Sequence, residues 1–130
     1  MPSRILVVED QEDNRTILRD LLTSAGFTTL EAVTGEDGVA MAQQEHPDLI
    51  LMDVQLPGID GLEATRQIKA IPALKAIPLI VVTSYALSGD DVKARAAGAD
   101  DYVTKPFSPR ALLAKVRQHL GPTLANIGNV

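Results

Sequence analysis

The sequence predicts a doubly wound α/β domain, in which five helices cover both faces of a five-stranded parallel sheet. Five short apolar segments alternate with five amphipathic segments along the 130 residues, as in repeated strand–helix units. Hydrophobic residues make up 45% of the chain but aromatic residues only 3%, so aliphatic side chains must fill the core. The length is that of one domain. For five strands, the common doubly wound order is 2-1-3-4-5.

The first two strand–helix pairs follow from apolar runs and from residues that begin or end helices. Arg4–Glu9 is predicted as a strand buried on both faces, because its centre is an unbroken apolar run rich in β-branched residues. Asp13 is expected to cap the first helix, whose aliphatic residues recur at helical spacing until Gly26. Thr28–Ala32 alternates only partly, which predicts an edge strand, and Gly35–Glu45 is predicted as the second helix.

The centre of the chain contains the clearest buried strand. Pro47 ends the second helix, and the consecutive apolar residues of Asp48–Asp53 then predict the third strand. Asp60–Ala70 is predicted as the third helix, and Pro78–Thr83 as the fourth strand.

Capping signals and apolar runs predict the remaining elements. Ser88 and Asp91 have the spacing of a capping box, which predicts a fourth helix that ends near Gly98. Asp101–Lys105 is predicted as a short fifth strand. Ser108–Leu120 is predicted as an amphipathic fifth helix, because a serine and a proline begin it and a Gly-Pro pair follows it.

Composition excludes several classes of function. Seventeen acidic against twelve basic residues give a net charge of −5, which argues against binding to nucleic-acid phosphates, since that needs a basic face. The absence of cysteine excludes disulfides, thiolate metal sites and cysteine nucleophiles. The apolar runs are far shorter than the ~20 residues of a membrane span, and the N-terminus lacks the pattern of a signal peptide. The expectation is a cytoplasmic domain over residues 1–121, with a flexible C-terminal tail over 122–130.

Acidic residues follow the two strands at which this topology places its ligands. In a doubly wound sheet, ligands bind at the carboxyl ends of the strands where the winding direction reverses, here strands 1 and 3. The first of these strands ends in Glu9 and Asp10, and the other ends in Asp53. Neighbouring carboxylates disfavour each other's ionisation, and Mg²⁺, which prefers oxygen ligands, would stabilise the trio. Solvated acids that merely cap helices are the plainer interpretation, but Asp13 is already expected to cap the first helix.

Strands 4 and 5 end in Thr83 and Lys105, which would add a hydroxyl and an ammonium group to the same pocket. Such groups, placed over a carboxylate–Mg²⁺ cluster, suit the oxygens of a tetrahedral anion and hence phosphoryl transfer. A carboxylate can itself act as the nucleophile and form an aspartyl phosphate. Each residue alone would be an ordinary strand-end side chain, so only the combination predicts this chemistry.

Four separated motifs contain these residues. They are Val7-Val-Glu-Asp10, Leu51-Met-Asp-Val-Gln-Leu-Pro57 with Gly58 and Asp60-Gly61, Val82-Thr-Ser84, and Tyr102-Val-Thr-Lys-Pro106. Together they resemble the receiver domain of two-component response regulators, the CheY-like superfamily, over about residues 4 to 120. This resemblance implies a flavodoxin-like fold. The segments Val8–Arg15 and Pro47–Pro57 resemble the DivK type and the receivers of hybrid kinases more than the chemotaxis type.

The resemblance implies how the acidic residues would act. Asp53 would be the phosphoacceptor and would share a Mg²⁺ ion with Asp10 and with Glu9, the latter acting directly or through water. The backbone carbonyl of Gln55 would complete the protein ligands. The same Gln55, with Tyr85, occupies a position that modulates dephosphorylation in the family.

The resemblance also implies a switch. Thr83 would follow the phosphoryl group, and Lys105 would pair with it. Tyr102 would turn inward when Thr83 moves, although a tyrosine that simply packs on strand 5 is the plainer interpretation. The Lys105–Pro106 peptide bond is expected to be cis.

Two protein-binding surfaces are implied as well. One would meet a sensor histidine kinase or a histidine phosphotransfer protein, and the other, formed by helix 4, strand 5 and helix 5, would bind a downstream protein. Helix 4 contains one large apolar residue, Val92, which predicts a weakly anchored and mobile element. The residues expected at the first surface are Asn14, Arg15, Leu18, Pro106 and Phe107, and those at the second are Lys93, Arg95, Tyr102 and Arg110.

The favoured interpretation is a stand-alone signalling phosphoacceptor rather than an enzyme, since no output domain follows Gly121. A Mg²⁺-dependent phosphohydrolase that forms an aspartyl phosphate is the main alternative, but it would require a second acid where this sequence has Gln55. A flavin-binding domain of the same topology would need a hydroxyl- or glycine-rich loop after strand 1, where Glu9–Asp13 is acidic.

Overall fold

A five-stranded parallel sheet forms the centre of the fold in the computed structural model, which describes residues 3–84 and 90–120. The strand order is 2-1-3-4-5, so the predicted topology is confirmed. The weak second strand lies at one edge of the sheet, as its partial alternation predicts. The strands are β1 (Arg4–Val8), β2 (Thr28–Ala32), β3 (Leu49–Asp53), β4 (Leu79–Thr83) and β5 (Asp101–Thr104).

Helices cover both faces of the sheet. Consecutive residues of a strand point to opposite faces, so Ile5 and Val7 pack with one group of helices and Leu6 and Val8 with the other. The described helices are α1 (Glu12–Ser24), α2 (Gly35–Glu45), α3 (Gly61–Ala70), α4 (Asp90–Ala96) and α5 (Pro109–Leu120). None of them is long and apolar enough to cross a membrane.

Aliphatic side chains fill both layers of the core, as the scarcity of aromatic residues predicts. Leu18 and Leu22 of α1 pack with Leu112 and Val116 of α5 on one face. On the other face, α2, α3 and α4 contribute alanine, leucine and isoleucine side chains. The sheet is therefore buried on both faces, and polar side chains at its carboxyl-terminal edge lie next to a dry interior.

The beginning of α1 corrects one prediction. The helix begins at Glu12 with Gln11 as its N-cap, so Asp13 lies in the first turn and is not the cap. No side chain caps this terminus, and the Gln11 N–H donates a hydrogen bond to the carboxylate of Glu9 (3.0 Å). By contrast, the Asp60 side chain caps α3.

Three predictions lie outside the described residues. They concern the capping box of Ser88 and the Asp91 side chain, the position of Tyr85, and the C-terminal tail over 122–130. In α4, Ala94 is buried and Val92 is exposed, and Ala97 directly after the helix is also buried. This sparse apolar contact agrees with the prediction of a weakly anchored helix, whose mobility stays a prediction.

Lys69 connects α3 to the start of β4. Its ammonium group donates hydrogen bonds to the carbonyls of Lys75 (3.0 Å) and Ile77 (2.7 Å), and to the carboxylate of Asp100 (2.8 Å). Asp100 also accepts a hydrogen bond from the Leu79 N–H at 2.8 Å. One largely buried lysine therefore satisfies several polar groups where β4 enters the sheet.

Candidate functional site

The carboxyl ends of β1 and β3 bring three acidic side chains together. These strands are neighbours in the sheet, and Val8 lies opposite Met52. The next residue along each strand, Glu9 and Asp53, therefore lies on the same edge of the sheet. Carboxylate oxygens of Glu9, Asp10 and Asp53 all lie within 4.8 Å of one another. Glu9 is 1% exposed and Asp53 6% exposed, whereas Asp10 is half-buried. The three acids predicted from the strand ends thus form one largely buried cluster.

Lys105 lies directly against this cluster. Its Nζ atom is 3.0 Å from Oε1 of Glu9 and 3.4 Å from Oδ1 of Asp53, so it bridges the two buried carboxylates. Its backbone N–H donates to the carbonyl of Thr83 (2.7 Å), which joins the residue after β5 to the end of β4. The Lys105–Pro106 peptide bond is cis.

The charges in this cluster are only partly compensated. Burial and the neighbouring charge of Glu9 raise the pKa of Asp53 to about 6, against the opposing effects of Lys105 and of the Gln55 N–H. Burial alone would raise the pKa of Glu9 too, but hydrogen bonds from the Gln11 N–H and Lys105 hold that pKa below its ordinary value. Burial would lower the pKa of Lys105, but contacts with Glu9 and Asp53 raise it. Of Glu9 and Asp53, Asp53 is therefore the residue whose ionised form a further cation would stabilise more.

The donor set of the cluster fits a hard divalent cation. Its ligand atoms are carboxylate oxygens, which Mg²⁺ prefers, and a single lysine does not neutralise three acids. Gln55 lies two residues after Asp53 with an exposed side chain, and its backbone N–H donates to Oδ1 of Asp53 (3.4 Å). Glu9, Asp10 and Asp53 could therefore hold Mg²⁺ without rearrangement of the strands.

The two predicted switch residues lie on adjacent strands. Thr83 is buried at the end of β4, one residue beyond the Val82 that pairs with Asp53. Tyr102 is half-buried on β5, and the Arg95 guanidinium carbon lies 5.9 Å from the centre of its ring. This spacing is that of a cation–π contact between α4 and β5.

Gly61, the first residue of α3, lies directly behind Asp53. A Cβ atom at this position would be 1.9 Å from the Asp53 carbonyl oxygen, so any other residue would force the backbone apart. The Gly61 N–H donates to the Val54 carbonyl (2.9 Å) and holds the helix against the strand end. The Asp-Gly pair before an amphipathic helix was visible in the sequence, but the close approach to Asp53 was not.

Arg15 of α1 contacts the backbone of Glu9 and Asp10, which form the acidic loop after β1. Its Nη1 atom donates hydrogen bonds to the backbone carbonyls of Glu9 and Asp10, both at 3.0 Å, and its Nε atom lies 3.5 Å from Oε1 of Glu31. The resemblance to receiver domains implies that Arg15 lies on a protein-binding surface. The sequence gives one signal for this contact. Arg15 lies near the start of the helix that follows the acidic end of β1.

Two grooves adjoin the segment that follows Lys105. The α1 groove, of about 530 Å³, is mainly apolar, whereas the β5 groove, of about 460 Å³, is lined by charged, hydroxyl and apolar residues. Pro106 and Phe107 line both of them. The α1 groove is lined by Glu9, Asn14, Ile17, Leu18, Ser84, Lys105, Pro106, Phe107 and Pro109, and the β5 groove by Arg95, Asp101, Tyr102, Val103, Thr104, Pro106, Phe107, Ser108, Ala111 and Lys115.

Similarity to known proteins agrees with this geometry. Residues 5–117 match the family described as response regulator receiver domain. The polar-differentiation response regulator DivK of Brucella ovis is 38% identical over 121 residues, which are 93% of this chain and 98% of that protein.

Solved structures show the same fold and one of them contains a metal. The receiver domain of a sensor histidine kinase from Pseudomonas aeruginosa, with a magnesium ion coordinated in its active-site cleft, has a TM-score of 0.88 and 36% identity, covering 93% of this chain and 99% of that one. A CheY-like receiver domain protein from Methanospirillum hungatei has a TM-score of 0.85 and 32% identity, covering 92% and 94%. The resemblance seen in the sequence motifs is confirmed. The chain belongs to the receiver domain family of two-component response regulators.

Proposed function

We propose that this chain accepts a phosphoryl group on Asp53 and transmits that event to another protein. The observation that carries the proposal is the buried carboxylate of Asp53, held 3.4 Å from the ammonium of Lys105 and grouped with the carboxylates of Glu9 and Asp10. Because the pKa of Asp53 is about 6, the side chain is largely ionised at neutral pH and available as a nucleophile.

The donor is the phosphohistidine of a sensor histidine kinase or a histidine phosphotransfer protein, the class of partner with which receiver domains interact. A carboxylate oxygen of Asp53 attacks the phosphorus atom and forms a P–O bond as the P–N bond breaks. The bonding electrons go to the imidazole nitrogen, which takes up a proton. Lys105 and the hydroxyl of Thr83 bind the phosphoryl oxygens and hold them in place. Water later attacks the phosphorus atom of the acyl phosphate, the P–O bond to Asp53 breaks, and inorganic phosphate leaves as the carboxylate of Asp53 is restored.

Glu9, Asp10 and Asp53, together with the carbonyl of Gln55, are the residues that would hold Mg²⁺. The bound ion would neutralise the negative charge of the phosphoryl oxygens. The magnesium ion in the Pseudomonas aeruginosa receiver domain supports this assignment, as does the oxygen-only donor set of this chain.

The α1 groove is the surface that we assign to the phosphoryl donor. It contains Glu9 and Lys105 in its lining, so a protein bound there reaches the acidic cluster. Ile17 is 55% exposed beside Leu18 and Phe107, which gives the groove an apolar rim suited to a helix of the donor.

Helix α4, β5 and α5 form the surface that we assign to the downstream protein. Lys93, Arg95 and Arg110 are exposed there, and Tyr102 lies between this surface and the core. Movement of Thr83 toward a phosphoryl group would free space for the ring of Tyr102 to turn inward and leave Arg95. The event at Asp53 would thereby change the surface that the partner contacts.

Incubation of the full chain with Mg²⁺ and acetyl phosphate tests the proposal. Intact-mass analysis should show one added phosphoryl group that is stable in acid and labile in base, and Asp53→Asn should abolish it. Asp20→Asn, at a side chain that is 73% exposed, is the matched control and should be modified like the wild type. The proposal fails if the wild type gains no phosphoryl group, or if Asp53→Asn gains the same amount.

The same preparation separates this proposal from a phosphohydrolase. A phosphohydrolase would release phosphate continuously from a generic ester such as p-nitrophenyl phosphate. A phosphoacceptor that takes its phosphoryl group from a phosphohistidine or an acyl phosphate should release no more phosphate from that ester than Asp53→Asn does. Sustained turnover that depends on Asp53 would therefore contradict the signalling function.

A further inference from the structure

Arg15 makes contacts that link the acidic cluster to the edge of the sheet. A single nitrogen, Nη1, donates to the carbonyl oxygens of Glu9 and Asp10, both at 3.0 Å. The side chain is 17% exposed, so most of its length is packed rather than solvated. Arg15 therefore restrains the backbone of the two residues whose side chains leave β1 toward the cluster.

In the loop between β1 and α1, the Glu9 N–H donates to the Ala32 carbonyl (3.0 Å), but among the described contacts the Glu9 and Asp10 carbonyls are held by Arg15. The N-terminus of α1 has no side-chain cap, and Gln11 donates its N–H to the carboxylate of Glu9. The direction of each carboxylate depends on the orientation of its peptide unit. Two carbonyls held by one guanidinium nitrogen give Glu9 and Asp10 a common orientation, which is what a shared cation requires.

Glu31 of β2 in turn orients Arg15. Its carboxylate lies 3.5 Å from Nε of Arg15 and 3.3 Å from Nη1 of Arg19, one helical turn further along α1. The two arginines thus share one acidic partner and one helix face. Among the described contacts, Arg15 donates hydrogen bonds to the carbonyls of Glu9 and Asp10, whereas Arg19 does not. Arg19 has the same charge and is therefore a matched control.

We propose that Arg15 is a positioning residue for the metal site, acting through the backbone of Glu9 and Asp10 and held in place by Glu31. The inference rests on the proposed function, since it assigns Arg15 to the binding of the same Mg²⁺ ion. It predicts that loss of the Arg15 side chain weakens Mg²⁺ binding.

Electrostatic attraction alone predicts the opposite effect on Mg²⁺ affinity. Removal of a positive group near three carboxylates should strengthen the attraction of a cation, and Arg15→Gln and Arg19→Gln remove the same charge from the same helix. A weaker affinity in Arg15→Gln than in Arg19→Gln therefore reports positioning rather than electrostatics.

Isothermal titration of the full metal-free chain with magnesium chloride measures this difference. We expect Arg15→Gln to bind Mg²⁺ about tenfold more weakly than Arg19→Gln, the lower end of the range for residues that orient metal ligands. Amide exchange of Gln11 without metal should also be faster in Arg15→Gln, because its hydrogen bond to Glu9 depends on the same loop. Arg15→Lys, which keeps the charge and a donor but loses the planar guanidinium, should lie between Arg15→Gln and the wild type.

The outcomes are distinct. An affinity in Arg15→Gln equal to or tighter than that in Arg19→Gln, with Mg²⁺ bound by the wild type, overturns the inference and leaves the proposed function intact. Absence of Mg²⁺ binding in the wild type overturns both. Should Arg15→Gln fail to fold, Arg15→Lys carries the test, and an unchanged Mg²⁺ affinity in that variant overturns the inference.

Discussion

Replacement of Asp53 by asparagine should stabilise the folded chain at neutral pH. Burial and the charge of Glu9 raise the pKa of Asp53 to about 6, whereas the ordinary value for an unfolded chain is 3.8. The folded state therefore binds this proton more tightly than the unfolded state. The stability that this provides is fully present below pH 3.8 and is lost as the pH rises through about 6. Asparagine resembles the protonated carboxyl group but cannot ionise, so its variant keeps this stability as the pH rises.

The magnitude follows from the two pKa values. At pH 7.5, ionisation of Asp53 costs about 3 kcal/mol more in the folded than in the unfolded chain, and at pH 4.5 the difference falls to about 1 kcal/mol. Relaxation around the site reduces both figures, so we expect Asp53→Asn to gain about 1–3 kcal/mol at pH 7.5 and a smaller amount at pH 4.5.

Urea unfolding monitored by circular dichroism, in EDTA at both pH values, measures this gain. Asp20→Asn should differ from the wild type by less than about 0.5 kcal/mol at each pH, since that carboxylate is exposed. Excess Mg²⁺ should stabilise the wild type more than Asp53→Asn and narrow the gap between them. An Asp53→Asn chain no more stable than the wild type at pH 7.5, or a difference in stability that does not narrow at pH 4.5, would contradict a raised pKa of Asp53 in the folded chain.

Three further substitutions test the surroundings of the site and the opposite end of β4. Gly61→Ala should lower the free energy of unfolding by about 3 kcal/mol, because its Cβ would lie 1.9 Å from the Asp53 carbonyl oxygen; a thermal midpoint within a degree or two of the wild type would contradict this. Lys105→Met should raise the pKa of Asp53 above 6 in a carboxyl-carbon NMR titration, since the ammonium of Lys105 lowers that pKa, and an unchanged titration would show that the pair is not coupled. Lys69→Met should lower the free energy of unfolding in urea by about 2 kcal/mol, because two carbonyls and a carboxylate lose their donor. Its Mg²⁺ affinity should stay at the wild-type value, and a lost affinity would show that Lys69 acts on the site.

Much of the fold and the position of the site could be predicted because the relevant signals are local. The consecutive apolar residues before Asp53 require a strand that is buried on both faces, and alternation of strands with helices requires a parallel sheet. Once the strand order is known, the residues that end β1 and β3 must meet. Glu9, Asp10 and Asp53 could therefore be grouped without coordinates.

The remaining features depend on side-chain directions and on packing, which the local sequence pattern does not specify. Asp13 has the residue type of a helix cap, but the helix has Gln11 as its N-cap and begins two residues earlier than a cap at Asp13 would allow. The guanidinium of Arg15 turns back along its helix to carbonyl groups, and no periodicity distinguishes this direction from exposure to solvent. Gly61 is constrained by the Asp53 carbonyl, which is a property of packing alone.

The segment shared by the two grooves has a consequence for genetic experiments. Phe107 lines both the α1 groove and the β5 groove, so a substitution there changes two surfaces in one step and its phenotype has two causes. Alleles that separate phosphoryl acquisition from downstream output should instead be sought at positions that line one groove only. Asn14 and Ile17 belong to the first, and Ala111 and Lys115 to the second. A suppressor that arises at Phe107 would not reveal which surface it repaired.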